Sequence, residues 1–273
     1  MKIFPECIPC VLNQGIRTIK KITDNEKRQW ELLRCVYDQM GQKWHEGISP
    51  IELSLIVNDV VVNHSGVSDP YLKDKDLQNN HALEYYAEIR NNVMNAKNPI
   101  KEGIKYAICG NKIDLGIFAD IDVKKTIEMC EEIDISDDEI SDFKRAICNE
   151  SKILYLTDNA GEIVFDKILI DLMTDMGKEI YVGVRDFPII NDVTEREAKM
   201  LGFERQNIIP IKIGDTETLK QFSLVISKGQ ANFESYHMMK NIYFLFLIKC
   251  QILAKALNRP IYSVFFERYG DEI

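Results

Sequence analysis

The stretch Lys152-Ile153-Leu154-Tyr155-Leu156-Thr157-Asp158-Asn159-Ala160-Gly161-Glu162 decides the fold class. A short apolar run ends in polar residues and a glycine, the pattern of a buried parallel strand leaving its sheet. Ile163 to Met176 then has helical apolar spacing and is closed by Gly177. The alternation continues downstream. Glu179 to Val184 predicts a second strand, Thr194 to Leu201 a helix, and Asn207 to Ile213 a third strand. Thr216 to Phe222 predicts a short helix and Leu224 to Ser227 a fourth strand. Met239 to Leu257 reads as one long helix, and Pro260 to Phe266 as a last strand. Strands alternating with helices in this way predict βαβ units and a parallel sheet.

Upstream, from about Lys20 to Cys148, helix-type patterns dominate. Asn25 to Tyr37, His81 to Ile89 and Val123 to Ile133 have helical apolar spacing. Ser49-Pro50 predicts a further helix start, with serine as the cap and proline in the first turn. The acidic stretch Asp134 to Asp142 predicts a solvated turn and a helix start. Residues 1–148 are therefore expected to form a mainly helical N-terminal region that caps an α/β core of residues 149–273.

The bulk numbers exclude some partners. The chain has 273 residues and a net charge of -9. Like-charge repulsion argues against a nucleic-acid partner, whereas a small anionic substrate is compatible because a metal and a few lysines invert the sign locally. The apolar run Ile242 to Ile248 is too short to span a bilayer, and Met1 to Cys7 does not resemble a signal peptide. These features predict a cytoplasmic protein. The seven cysteines are odd in number and irregular in spacing, so reduced thiols are expected. Cys7 and Cys10 form the one close pair. Three readings stay open for it: small buried residues, a soft-metal pair completed by Cys35, Cys109 or His45, or a redox pair.

An open parallel sheet binds ligands at the carboxyl ends of its strands. Three predicted strand-end loops are polar: Asp158 to Glu162, Arg185 to Asp192, and Lys228 to Glu234. Asp158, Asn159 and Asp192 offer hard oxygen ligands suited to Mg²⁺, Mn²⁺ or a similar ion. A turn entering a helix at Glu162 points amide N–H groups at an anion. Lys228 beside Gly229 supplies a point charge for a phosphate oxygen. The plain alternative for Asp158-Asn159, and for Asp192, is a helix cap. His237, which follows the Lys228 loop, is the one histidine kept as a neighbour of the site.

Asp158-Asn159-Ala160-Gly161-Glu162-Ile163-Val164-Phe165-Asp166 resembles the central motif of the metal-dependent damage-control phosphatases, also called ARMT-like. Further motifs resemble the family in order: Cys7-Ile8-Pro9-Cys10, Asp69 to Lys73, Gly110 to Asp114, Pro188 to Thr194, Ser227 to Glu234 and Lys249-Cys250. The resemblance covers about residues 4–270, and the cysteine pair points to a microbial branch. It implies a Rossmann-like, mostly parallel sheet flanked by helices, with a helical N-terminal cap. It implies a divalent metal (manganese, cobalt, nickel or magnesium) at Asp158, Asn159 and Asp192. It implies phosphate or sugar contacts from Lys228, Gly229, Asn232 and Lys249, with Asn111 and Asp114 also facing the substrate. Glu162 sits where a carboxylate orients the attacking water. The implied activity is hydrolysis of small phosphorylated metabolites, with catalysis carried by Asp158, Glu162 and Lys228. A carboxyl methyltransferase on a similar core, or a non-catalytic metal or metabolite binder, is the alternative. The first lacks its glycine-rich turn here, because only Gly161 follows the first strand.

Overall fold

The computed structural model describes residues 3–45, 47–110, 130 and 133–269. Asn111 and Asp114 lie outside the described residues, as does most of the helix expected over Val123 to Ile133. Two compact units emerge, one of Met1–Lys73 with Pro188–Asn191, the other of Asp74–Phe187 with Asp192–Ile273. The unit that holds the sheet therefore begins at Asp74.

The first unit is built on α1 (Cys7–Ile22), α2 (Glu26–Lys43) and α3 (Pro50–Ser65). Their starts are written locally. Asn25 accepts the Arg28 N–H at the head of α2. Ser49 and Glu52 form a capping box at the head of α3, with Pro50 in its first turn. Val11, Ile19, Leu32, Val36, Leu53, Val57 and Val61 make the core of this unit.

In the second unit, α4 (Leu72–Met94, from Asp74 onward), α5 (Pro99–Gly110) and α6 (Asp137–Asn149) precede the sheet. Ser136 caps α6 through a box with Glu139. Then follow β1 (Lys152–Leu156), α7 (Glu162–Asp175), β2 (Glu179–Arg185), α8 (Glu195–Met200), β3 (Ile208–Ile211) and α9 (Thr216–Leu219). The chain continues with β4 (Leu224–Lys228), α10 (Gln230–Tyr236), β5 (Ile242–Leu247), α11 (Gln251–Ala256) and β6 (Val264–Arg268). The sheet order is β3-β2-β1-β4-β5-β6. All pairings are parallel except β5 with β6. Pro210, which has no N–H to donate, lies on the edge strand β3. Helix α5 packs on α7, and Phe143 of α6 meets Tyr243 and Phe266 edge-on. The α/β expectation with a mostly parallel sheet holds.

Two expectations are corrected. The long helix expected over Met239 to Leu257 is a strand, β5, followed by the short helix α11. Ile242-Tyr-Phe-Leu-Phe-Leu is apolar at every position and buried at every position, because β5 lies inside the sheet and is covered on both faces. Such a run has no alternation to mark it as a strand. The reduced-thiol expectation fails at Cys109 and Cys130, which are paired in a disulfide with Cα atoms 5.3 Å apart. Cys7 and Cys10 both lie on α1, the first buried and the second exposed.

Candidate active site

The connections from β1 run outward through β2 to β3, and those from β4 run the other way. The carboxyl ends of β1 and β4 therefore flank the topological switch point, where open α/β sheets leave a crevice. Asp158 follows β1, and Gly229 follows β4. The return loop from β2 is stitched beside them. The Val193 N–H donates to the Asp158 carbonyl at 2.9 Å, and the Arg185 N–H to the Val193 carbonyl at 2.8 Å. Asn159 and Asp192 form an isolated antiparallel bridge. These backbone bonds bring Asp158, Asn159 and Asp192 together from two loops.

The helix-cap alternative does not describe them. The N-cap of α7 is Gly161, and no side chain caps that helix. The N-cap of α8 is Thr194, boxed with Glu197. Gly161 takes a left-handed φ of 77° and donates its N–H to Asn79 Oδ1 at 2.6 Å. With no cap to make, Asp158 and Asn159 turn to each other. Asn159 Nδ2 donates to Asp158 Oδ2 at 2.8 Å and to Glu162 Oε2 at 3.2 Å.

The site is crowded with negative charge. Burial pushes the Asp158 carboxyl well above its usual range. Glu162 and Asp192 push it further, while Arg185 and Lys249 pull it back. Arg185 Nε donates to Asp192 Oδ2 at 2.7 Å, with only 4% of the Arg185 side chain exposed. Burial opposes the guanidinium charge there, but Asp192 and Asp158 outweigh it. Among the described residues no three His, Cys, Asp or Glu side chains form a metal cage of their own. The hard-oxygen set here needs the Asn159 carboxamide as a member. Two carboxylates and a carboxamide, with a third carboxylate at Glu162 raising the local negative charge, fit a divalent cation chemically.

Lys228 lies in the floor of the site. It is the last residue of β4 and is fully buried. Its Nζ donates to the Ala107 carbonyl at 2.6 Å, to Asp166 Oδ1 at 2.9 Å and to Glu162 Oε1. Tyr155 donates its hydroxyl to the same Asp166 Oδ1 at 2.8 Å. Burial works against the Lys228 charge, but Asp166 and Glu162 outweigh it and keep the ammonium charged. One lysine does not neutralise two buried carboxylates, and burial pushes Asp166 up to about 7.

The remaining expected residues take distinct places. Asn232 Nδ2 donates to the carbonyls of Thr157 and Lys228 at 3.0 and 2.8 Å, tying the ends of β1 and β4 together. Gly229 adopts φ 80° and ψ 155°. Lys249 follows β5, its backbone N–H held by Gln230 Oε1, and its charge acts on Asp158. His237 sits at the end of α10 with Nδ1 against the carbonyls of Phe233 and Glu234. Sequence reasoning missed Tyr155, Asp166 and Asn79. Asp166 alone left a trace, as an acidic residue four positions after Glu162 inside an otherwise apolar stripe.

Comparisons with known proteins bear on the fold and the family. The crystal structure of a DUF89 family protein from Pyrococcus horikoshii has the same fold, with a TM-score of 0.86 at 24% identity over 98% of this chain and 99% of that one. An uncharacterised protein of Methanocaldococcus jannaschii is 31% identical, over 94% of this chain and 92% of that protein. Proteins named damage-control phosphatase from Pyrococcus horikoshii and Archaeoglobus fulgidus are 26% and 28% identical, over 95% and 94% of this chain and 96% of each of theirs. The profile of the damage-control phosphatase ARMT1-like domain matches residues 3–209 and 214–264. With that match running through β1, β2, β4 and β5 and both sides of the switch point, the chain belongs to the damage-control phosphatase ARMT1-like family.

Proposed function

We propose that this protein is a divalent-cation-dependent phosphatase that hydrolyses small phosphorylated metabolites. The observation that carries the reading is the buried Asp158 carboxyl, which two further carboxylates, Glu162 and Asp192, push away from its charged form. A cation at that corner relieves the repulsion. Asp158, Asn159 and Asp192 are the residues that hold it, and manganese, cobalt, nickel and magnesium all suit such oxygen donors. When bound, the cation supplies positive charge to a phosphoryl group and acidifies a nearby water.

The protein's own groups do the rest. Glu162 accepts the proton of the attacking water at Oε2, the oxygen that Lys228 does not hold and that Asn159 Nδ2 meets only at 3.2 Å. The fourteen-residue helix α7 begins beside this point and directs its N-terminal dipole at the phosphoryl oxygens. Lys249 and the backbone at Gly229 add to the anion contact, and Asn111 and Asp114 are kept as contacts to the rest of the substrate. Asp158 acts as a ligand, not as a phosphorylated nucleophile, because a carboxylate tied to a cation is poorly placed for attack. The names of the Pyrococcus and Archaeoglobus relatives support a phosphatase over a methyltransferase. A cytoplasmic setting is part of the same proposal. Among the described residues no helix is long and apolar enough to cross a membrane.

The test is phosphate release from a panel of phosphorylated metabolites with each of the four ions added in turn. Turnover is expected in the wild type and loss of it in Asp158→Ala and Asp192→Ala. Turnover that survives both substitutions sinks the site. Ion binding without turnover on any substrate marks a non-catalytic binder instead.

A further inference from the structure

Lys228 has the sequence context of an anion-binding lysine, next to a glycine at a strand end, but its surroundings are those of a structural charge. An ammonium has three N–H donors. All three are engaged, by the Ala107 carbonyl, Asp166 Oδ1 and Glu162 Oε1. The side chain is 0% exposed, and so is that of Asp166. Turning Lys228 toward a substrate leaves two buried carboxylates without their counter-ion, which is a heavily disfavoured rearrangement.

The acceptors are themselves held in place. Glu162 and Asp166 stand one turn apart on the same face of α7, so one ammonium spans both. Tyr155, one residue before the end of β1, donates to the Asp166 oxygen that also accepts from Lys228, which fixes that carboxylate from the other side. The result is a chain of contacts, Tyr155 to Asp166 to Lys228 to Glu162, ending at the carboxylate that Asn159 touches through Oε2.

We propose that Lys228 is a positioning residue that acts through Glu162, and that Asp166 and Tyr155 hold it in that role. The phosphate contact then falls to Lys249, whose charge reaches Asp158 from the end of β5. This rests on the phosphatase reading above.

The double variant Lys228→Met with Asp166→Leu tests it, since it removes one positive and one negative charge and leaves the buried net charge unchanged. Two quantities are read: kcat and KM on the best substrate, and the affinity of the Mn²⁺-loaded protein for inorganic phosphate by calorimetry. A positioning role predicts kcat lower by about 10–100-fold, with KM and the phosphate Kd within about threefold of wild type. Asp166→Asn, which keeps the acceptor oxygen, is expected to retain most of the wild-type kcat. Lys249→Gln is expected to weaken phosphate binding by about tenfold or more. A folded double variant with wild-type kcat overturns the proposal, and so does one whose phosphate affinity collapses. If the double variant does not fold, Tyr155→Phe decides, with an expected kcat loss of about 5–10-fold and unchanged phosphate affinity. Unchanged kcat, or weakened phosphate binding, counts against the proposal there too. A wild type that binds phosphate but turns nothing over defeats the phosphatase reading, and the phosphate affinities of the variants still decide whether Lys228 touches the anion. A wild type that does neither defeats both.

Discussion

Gly229 and the carboxylate of Asp158 are in such close contact that a Cβ on the glycine would lie 2.1 Å from Asp158 Oδ2. The contact joins the ends of β1 and β4 at the switch point. Gly229 also holds φ 80° and ψ 155°, a region that essentially only glycine occupies. Gly229→Ala therefore carries two costs. Backbone strain destabilises the fold by about 1–3 kcal/mol. Displacement of the Asp158 carboxylate by an ångström or more lowers phosphatase turnover by roughly 100-fold. Urea unfolding and phosphate release measure the two separately. A variant with wild-type turnover would show that Asp158 has no fixed position to lose.

Asp158→Asn separates stability from function. The wild-type carboxyl is pushed up by burial and by Glu162 and Asp192, so its ionisation opposes folding once the pH exceeds the unfolded value. The amide removes that opposition. In chelator at neutral pH the variant is expected to melt roughly 2 °C or more above wild type, as follows from about 1 kcal/mol in a chain of this size. Adding Mn²⁺ at about 100 times its Kd should stabilise wild type by about 2.7 kcal/mol and the variant by much less. Activity should fall to background in the variant. Calorimetric melts with and without the ion check this, and equal ion-induced shifts would remove Asp158 from the ligand set.

Where the sequence was legible, the signal was local. The Ser49-Pro50 and Asn25 helix starts, the alternation from β1 to β4 and the polar strand-end loops all need only neighbouring residues for their reading. β5 was not legible because a strand covered on both faces shows no period, and Ile242 to Leu247 is apolar throughout. Asp158, Asn159 and Asp192 stood out because their types are unusual after apolar strands. Tyr155 and Asp166 did not, since their part depends on β4 lying beside β1 and placing Lys228 against both. The Cys109–Cys130 pairing is equally non-local, with the partners 21 positions apart in sequence and nothing in their spacing to announce it.

That disulfide has a measurable consequence. Closing a loop of this length restricts the unfolded chain and stabilises the fold by about 3 kcal/mol. Cys109 also sits beside Gly110, whose missing Cβ would lie 3.3 Å from Glu162 Cγ. Reduction with dithiothreitol, or Cys130→Ala, should lower the urea midpoint, and the non-reducible variant should no longer respond to reductant. An identical midpoint for the oxidised and reduced wild type would show that the two thiols are not bonded in solution.

Glu234 supplies a pH-dependent test away from the cation ligands. It lies on α10 and is mostly buried, and its Oε2 has no hydrogen-bond partner among the described residues. Burial pushes its carboxyl from the ordinary 4.5 up to about 7. A raised folded-state pKa means that the folded protein holds the proton more tightly than the unfolded chain does. The stabilising contribution is thus complete below about pH 4.5 and is lost as the pH rises through about 7. Glu234→Gln keeps the shape and stays neutral, so it should match wild type at pH 4.5 and be more stable at pH 8, by something on the order of 2 kcal/mol. Urea midpoints of the two proteins at both pH values give the difference directly. If the gap between variant and wild type does not widen with pH, Glu234 ionises in the folded protein as easily as in the unfolded one, and water or another donor must reach its second oxygen.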